Sequence, residues 1–193
     1  MAKSKVPATP GKTSDLLDLI PKLKPMPGED QNAMADLRKA LLLDLSPSAP
    51  YERALAEQLV TLEFEMDRHR RMRDALILSE IREKATKFLH DAGSESWSPF
   101  KPSNAAKQFG SDLVSGDPAR QSKALEKLGK LEIPADEVLA KAYETVARSV
   151  AIHEHHIAEA EQRRRKLRDD YDKLKASKAK PVEEAVLLDA NDD

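Results

Sequence analysis

The longest apolar rhythm in the chain runs through residues 50–90, PYERALAEQLVTLEFEMDRHRRMRDALILSEIREKATKFLH. Apolar side chains recur at Leu55, Leu59, Leu62, Met66, Leu76 or Ile77, Ile81, Ala85 and Phe88, the three-and-four spacing of one helical face. No proline or glycine follows Pro50, whose missing N–H is no loss in a first turn, and Ser46 and Ser48 are candidate caps ahead of it. About forty residues at about 1.5 Å each predict a rod of roughly 60 Å. A rod of that length with a single apolar stripe requires a partner helix.

Residues 134–176 supply one. Ile133-Pro134-Ala135-Asp136-Glu137 opens it, and its seam reads Val138 or Leu139, Ala142, Val146, Ser149, His153, His156, Ala160, Leu167, Tyr171 and Leu174. This seam is thinner than the first, with small and polar residues in its middle. Folding the two segments back on each other sets Phe88 level with Asp136, Leu59 near Leu167, Leu62 near Ala160, and His69 level with His155. Shorter helices flank the pair. PGED at 27–30 breaks the chain before a helix at 31–45, with Met34, Leu37, Leu41 and Leu45 on one side. A second is expected at 105–114. A third, at 118–129, has Asp117 as cap, Pro118 in first position, Leu125 and Leu128 as apolar residues, and its stop near Gly129. The pattern predicts an all-α fold: a long, coiled-coil-like antiparallel helical hairpin with short flanking helices and disordered termini. One helical domain is expected over 28–177, after a flexible basic arm at 1–27 and before an acidic disordered tail at 178–193. Trp97 and Phe100 lie in the loop-forming stretch DAGSESWSPFKPSN, where they are expected to cap the end of a helix pair.

Composition sharpens this picture. Apolar residues make up 40% of the 193 and aromatics only 4%, which suits a narrow seam better than a thick core or a sheet. A formal net charge of −2 gives no global pull toward nucleic acid or anionic membrane. The absence of cysteine excludes disulfides, thiolate metal sites and a thiol nucleophile. Pro7, Pro10 and Gly11 interrupt any apolar run near the start, and no run reaches a membrane-spanning length, so neither a signal peptide nor a transmembrane helix is read and a cytoplasmic location is expected. The cluster LLDLI at 16–20 matches a clathrin-box pattern but reads more simply as an amphipathic turn. Gly11-Lys12-Thr13 ends like a phosphate-binding loop, but that loop needs glycine where Val6 stands and a preceding strand.

The order PGED, helix, PYERALAEQLVTLEFEMDRHRRMRDALI, SGDPARQSKALEKLGKLEIPADEVLAKAYE and AEAEQRRRKLRDDYDKL resembles that of a group of short, all-helical bacterial proteins. The group shares an aromatic where Phe64 stands, a "GDP…L…G" middle helix and an "AEARRR…L" closing helix, and the resemblance covers residues 26–175. Its basic "RNALRHGL"-like N-terminal segment is absent here. No activity is established for that group, so the resemblance implies a fold and no catalytic residues.

Two constellations carry candidate chemistry. Arg68, Arg70, Arg71 and Arg73 on the first long helix, with Arg163, Arg164, Arg165, Lys166 and Arg168 on the second, are candidate phosphate or nucleic-acid contacts. Carboxylates at pairing distance oppose that reading: Asp67 with Arg71, Arg70 with Asp74, Glu159 with Arg163, Glu161 with Arg165 and Lys166 with Asp170 form a solvated ion-pair lattice. The consecutive residues 163–166 also wrap around a helix rather than share one face. His69, His153 and His156 form the second constellation. Two histidines three apart with a third across the seam, and Glu65 nearby, are candidate zinc or iron ligands. Imidazoles hydrogen-bonding across a seam too polar for leucine are the simpler reading, and no cofactor is expected. No glycine-rich loop after a strand and no serine in a nucleophile setting is present, so no catalytic residue is assigned. The sequence predicts a non-enzymatic intracellular helical scaffold or interaction protein, with self-association and an unidentified protein partner. An accessory nucleic-acid-binding protein is the alternative.

Overall fold

The computed structural model describes residues 24–92 and 102–179. The basic arm up to residue 23, the LLDLI cluster, Trp97, Phe100 and the acidic tail from residue 180 lie outside them. All regular structure among the described residues is helical: α1 Gln31–Leu45, α2 Pro50–Ala92, α3 Asn104–Leu113, α4 Pro118–Lys130 and α5 Ala135–Ala179. No described helix is long and apolar enough to cross a membrane.

By its internal contacts the chain divides into two compact units. One comprises Met1–Phe64 with Glu161–Asp193, the other Glu65–Ala160, so α2 and α5 each contribute to both. Each unit holds a buried apolar cluster of its own. In α2, the run DRHRRMRD at 67–74 carries charge and imidazole where other turns carry leucine.

In the first unit, α1 packs with the start of α2 and the end of α5 around Leu45, Leu55, Ala56, Leu59 and Tyr171. Asp30 caps α1 by accepting from the N–H groups of Asn32 and Ala33. At the other end, Ser46 adopts a left-handed φ of 48°, and the carbonyls left over there receive side chains from α5. The Tyr171 hydroxyl donates to the Leu45 carbonyl at 2.7 Å, and the Lys175 ammonium donates to the carbonyls of Leu45 at 2.7 Å and Ser46 at 2.9 Å. Ser46 therefore ends α1 instead of starting α2. The inward side of α1 is Leu41, Leu42 and Leu45, while Leu37, expected inside, is 42% exposed. The α2 and α5 segments of this unit run antiparallel, with Glu52 paired to Lys178 at 2.8 Å and Glu63 to Arg164 at 2.7 Å.

In the second unit, Ile81 and Ala85 of α2, Phe109 and Leu113 of α3, Ala124 and Leu128 of α4, and Val138 and Ala142 of α5 form the buried cluster. Ser103 caps α3 through the Ala106 N–H, so the helix opens at Asn104 rather than Ala105. Asp117 caps α4 and Pro118 takes its first turn. α4 stops at Lys130, near Gly129 as the sequence indicates. Glu132, not Gly129, holds the left-handed conformation (φ 56°), and the Ile133 N–H returns to the Leu128 carbonyl at 3.1 Å. Gly110 has a packing role instead: α3 crosses α2 so closely that a Cβ there would overlap Thr86 Oγ1 and the Arg82 carbonyl.

Candidate functional site

Within the second unit, α2 and α5 bring the three candidate imidazoles together. His69 Nδ1 and His153 Nδ1 are 3.0 Å apart, so one carries the proton and donates to the other. The His69 ring stacks on His156 at 4.8 Å between centroids and tilts against His153 at 5.3 Å. Helical spacing makes this possible: His153 and His156 are three apart, on one side of α5, and both meet His69. His155, which the expected register set level with His69, points outward and faces Glu159 at 3.4 Å. Among the described residues, no three histidine, aspartate or glutamate side chains converge in a way that would hold a metal ion.

Burial of His69, together with the neighbouring His156 and His153, holds its pKa below the ordinary 6.5; Glu65 opposes this shift and Arg68 adds to it. A histidine with a depressed folded-state pKa contributes stability that is intact above pH 6.5 and fades as pH falls below it, because the unfolded chain takes the proton first. Thermal melts of the full chain should therefore be level just above neutrality and decline from pH 6.5 downward. His69→Gln is expected to flatten that decline. A wild-type melting temperature unchanged between pH 7 and 5 would contradict it.

The candidate arginines fall in both units. Arg68, Arg70, Arg71 and Arg73 belong to the second unit, and Arg163, Arg164, Arg165, Lys166 and Arg168 to the first. Most of them face carboxylates. Asp67 holds Arg71 at 3.0 Å, Arg73 binds Asp74 at 2.8 Å and Glu154 at 2.7 Å, Arg164 binds Glu63, Arg165 binds Glu161 at 2.7 Å, and Arg168 binds Asp172 at 3.2 Å. Three of the expected pairs do not form. Arg73, one residue nearer, takes Asp74 from Arg70; Glu159 turns to His155 and His156 instead of Arg163; Lys166 leaves Asp170. Arg70, Arg163 and Lys166 thus keep no carboxylate partner among the described residues.

Sequence reasoning missed one buried charge, Glu52, which is only 1% exposed. The Ala49 carbonyl accepts from the Arg53 N–H, so Ala49 is the N-cap of α2 and offers no side-chain acceptor. Glu52 reaches back in its place, accepting from the Ser48 N–H at 2.6 Å and the Ser48 hydroxyl at 2.8 Å, while the Lys178 ammonium donates to its other oxygen. The signal was a glutamate three residues into a helix with serine just ahead, but its cation lies more than a hundred residues away in sequence. Lys178 first, then Ser48, pull the Glu52 carboxyl from 4.5 down to about 2. Its stabilising effect is present above pH 4.5 and is lost as pH falls toward 2. Acid unfolding of Glu52→Gln should show a weaker pH dependence across that window than wild type; parallel acid curves would remove Glu52 from the account.

No family model, no curated protein and no solved structure matches this chain.

Proposed function

We propose that the protein is a non-enzymatic, cytoplasmic helical scaffold that presents the outer faces of a long antiparallel hairpin, formed by α2 and α5, to protein partners. A shared register supports the hairpin. Glu63 pairs with Arg164 in the first unit and Arg73 with Glu154 in the second; ten residues forward on α2 correspond to ten residues backward on α5. The observation that carries the interaction reading is the set of large apolar side chains left in water. Leu43 is 77% exposed, Ile152 53% and Leu78 47%, on helices whose arginines are largely neutralised by carboxylates.

The test is capture from the native cell with the full chain and with a Leu43→Ser, Ile152→Ser variant of equal helicity. Specific proteins held by the wild type and lost by the variant are the expected result. Titration of a fluorescent DNA duplex at about 50 mM and about 200 mM salt supplies the opposing outcome. Saturable binding that collapses with salt would assign the arginines to nucleic acid and end the scaffold reading.

A further inference from the structure

At about 100° per residue, Leu139, Ala140, Tyr143, Ala147, Val150 and Ala151 fall on one broad face of α5. The second unit buries Val138 and Ala142 on the neighbouring face and leaves this one open. Tyr143 is 48% and Leu139 39% exposed, the three alanines are exposed, and Val150 is half-buried. An apolar helical face of this width ordinarily has a partner. Glu144 and Arg148 border it, one helical turn apart, and neither has an ion-pair partner among the described residues.

We propose that this face binds a second copy of the chain, antiparallel, about a two-fold axis near Thr145. The proposal rests on the interaction reading above and names one partner for it. Size complementarity singles out this arrangement. Reversal about that point sets Tyr143 over the partner's Ala147, Leu139 over the partner's Ala151, and Ala140 against the partner's Val150, each contact occurring twice. Large residues meet small ones, and the alanines let the two helix axes come close. Charge selects the direction. In an antiparallel pair, like edges of the two helices meet, and Glu144 faces the partner's Arg148 on both sides of the axis. A parallel pair would instead set this charged edge against the partner's opposite edge, where Leu139 and Val150 lie, and would leave both charges without a partner.

Sedimentation velocity on the full chain, from about 1 to about 100 µM, tests this, since a single helix pair of this size supports affinity in that range. The expected result is a reversible monomer–dimer equilibrium. Ala147→Arg, at an exposed helical position, should weaken it at least tenfold with an unchanged circular dichroism spectrum. Glu144→Arg alone and Arg148→Glu alone should each weaken it about tenfold, and the two combined should restore wild-type association. Tyr143→Cys combined with Ala147→Cys should close disulfides between copies in a chain that has no native cysteine. A wild type that stays monomeric, a dimer indifferent to Ala147→Arg, or a charge-swapped double variant no better than the singles would each overturn the proposal. Those outcomes leave the scaffold reading intact, because that reading is decided separately by the capture and duplex titrations.

Discussion

Gly110→Ala should destabilise the second unit by about 3 kcal/mol, far more than one methyl group ordinarily costs. The added Cβ would overlap the Thr86 hydroxyl and the Arg82 carbonyl, with Arg82 Cγ 3.3 Å away. None of these yields easily. The Thr86 hydroxyl is held by its own hydrogen bond to the Arg82 carbonyl at 2.7 Å, and that carbonyl is part of the α2 backbone. The alternative is for α3 to retreat, which loosens Phe109 and Leu113 against Ile81 and Ala85. Urea unfolding followed by circular dichroism measures the loss, and hydrogen exchange should locate it in α3 and the facing turns of α2. Adding Thr86→Ala removes the hydroxyl but not the carbonyl, so it should recover only part of the stability. A Gly110→Ala variant within about 0.5 kcal/mol of wild type would mean that the helices do not cross this closely.

Tyr171 plays the corresponding part in the first unit. It is the largest fully buried side chain there, packed with Leu45, Leu55 and Leu59, and its hydroxyl donates to the last carbonyl of α1. Burial and the charge of Glu52 raise the pKa of that hydroxyl, so it keeps its proton and continues to donate through neutral pH. Tyr171→Ala should cost about 3–5 kcal/mol, the range for emptying an aromatic site in a core. Tyr171→Phe should cost only about 0.5–1 kcal/mol, since Lys175 still donates to the Leu45 carbonyl. Tyr171→Phe combined with Lys175→Met leaves that carbonyl without either donor and should cost more than the sum of the two single changes. Equal effects of the Phe and Ala variants would show that the hydroxyl, rather than the ring, holds this unit together.

The helices were legible because their signals are local. Asp30, Asp117 with Pro118, and the long runs free of proline and glycine state where helices begin and how far they extend. Positions governed by another helix were not. Leu37 fits the stripe of α1 as well as Leu42 does, and only the placement of α2 and α5 decides which is covered. Gly129 carries the usual stop signal, yet Glu132 makes the left-handed turn because the return bond from Ile133 reaches Leu128. Gly110 looks like a weak point in a short helix until Arg82 is set against it. The candidate site divides in the same way. His153 and His156, three residues apart, pointed to a shared side of α5 and to His69 across from it. Which arginines would find carboxylates depended on rotamers and competitors, as when Arg73 displaced Arg70 from Asp74. Glu52 was hidden altogether, because nothing near it in sequence announces Lys178.

The hairpin itself is tested most directly by one distance. The chain has no cysteine, so Asp91→Cys with Ser177→Cys places spin labels at the end of α2 and near the end of α5 without further changes. Ser177 stands beside Lys178, which pairs with Glu52 at the start of α2, about forty residues before Asp91. If α2 and α5 run side by side along their length, pulsed electron paramagnetic resonance should give a narrow distribution centred near 60 Å. A distribution centred near 30 Å would mean that the long helices bend and fold the two units against each other, and the hairpin scaffold would be wrong.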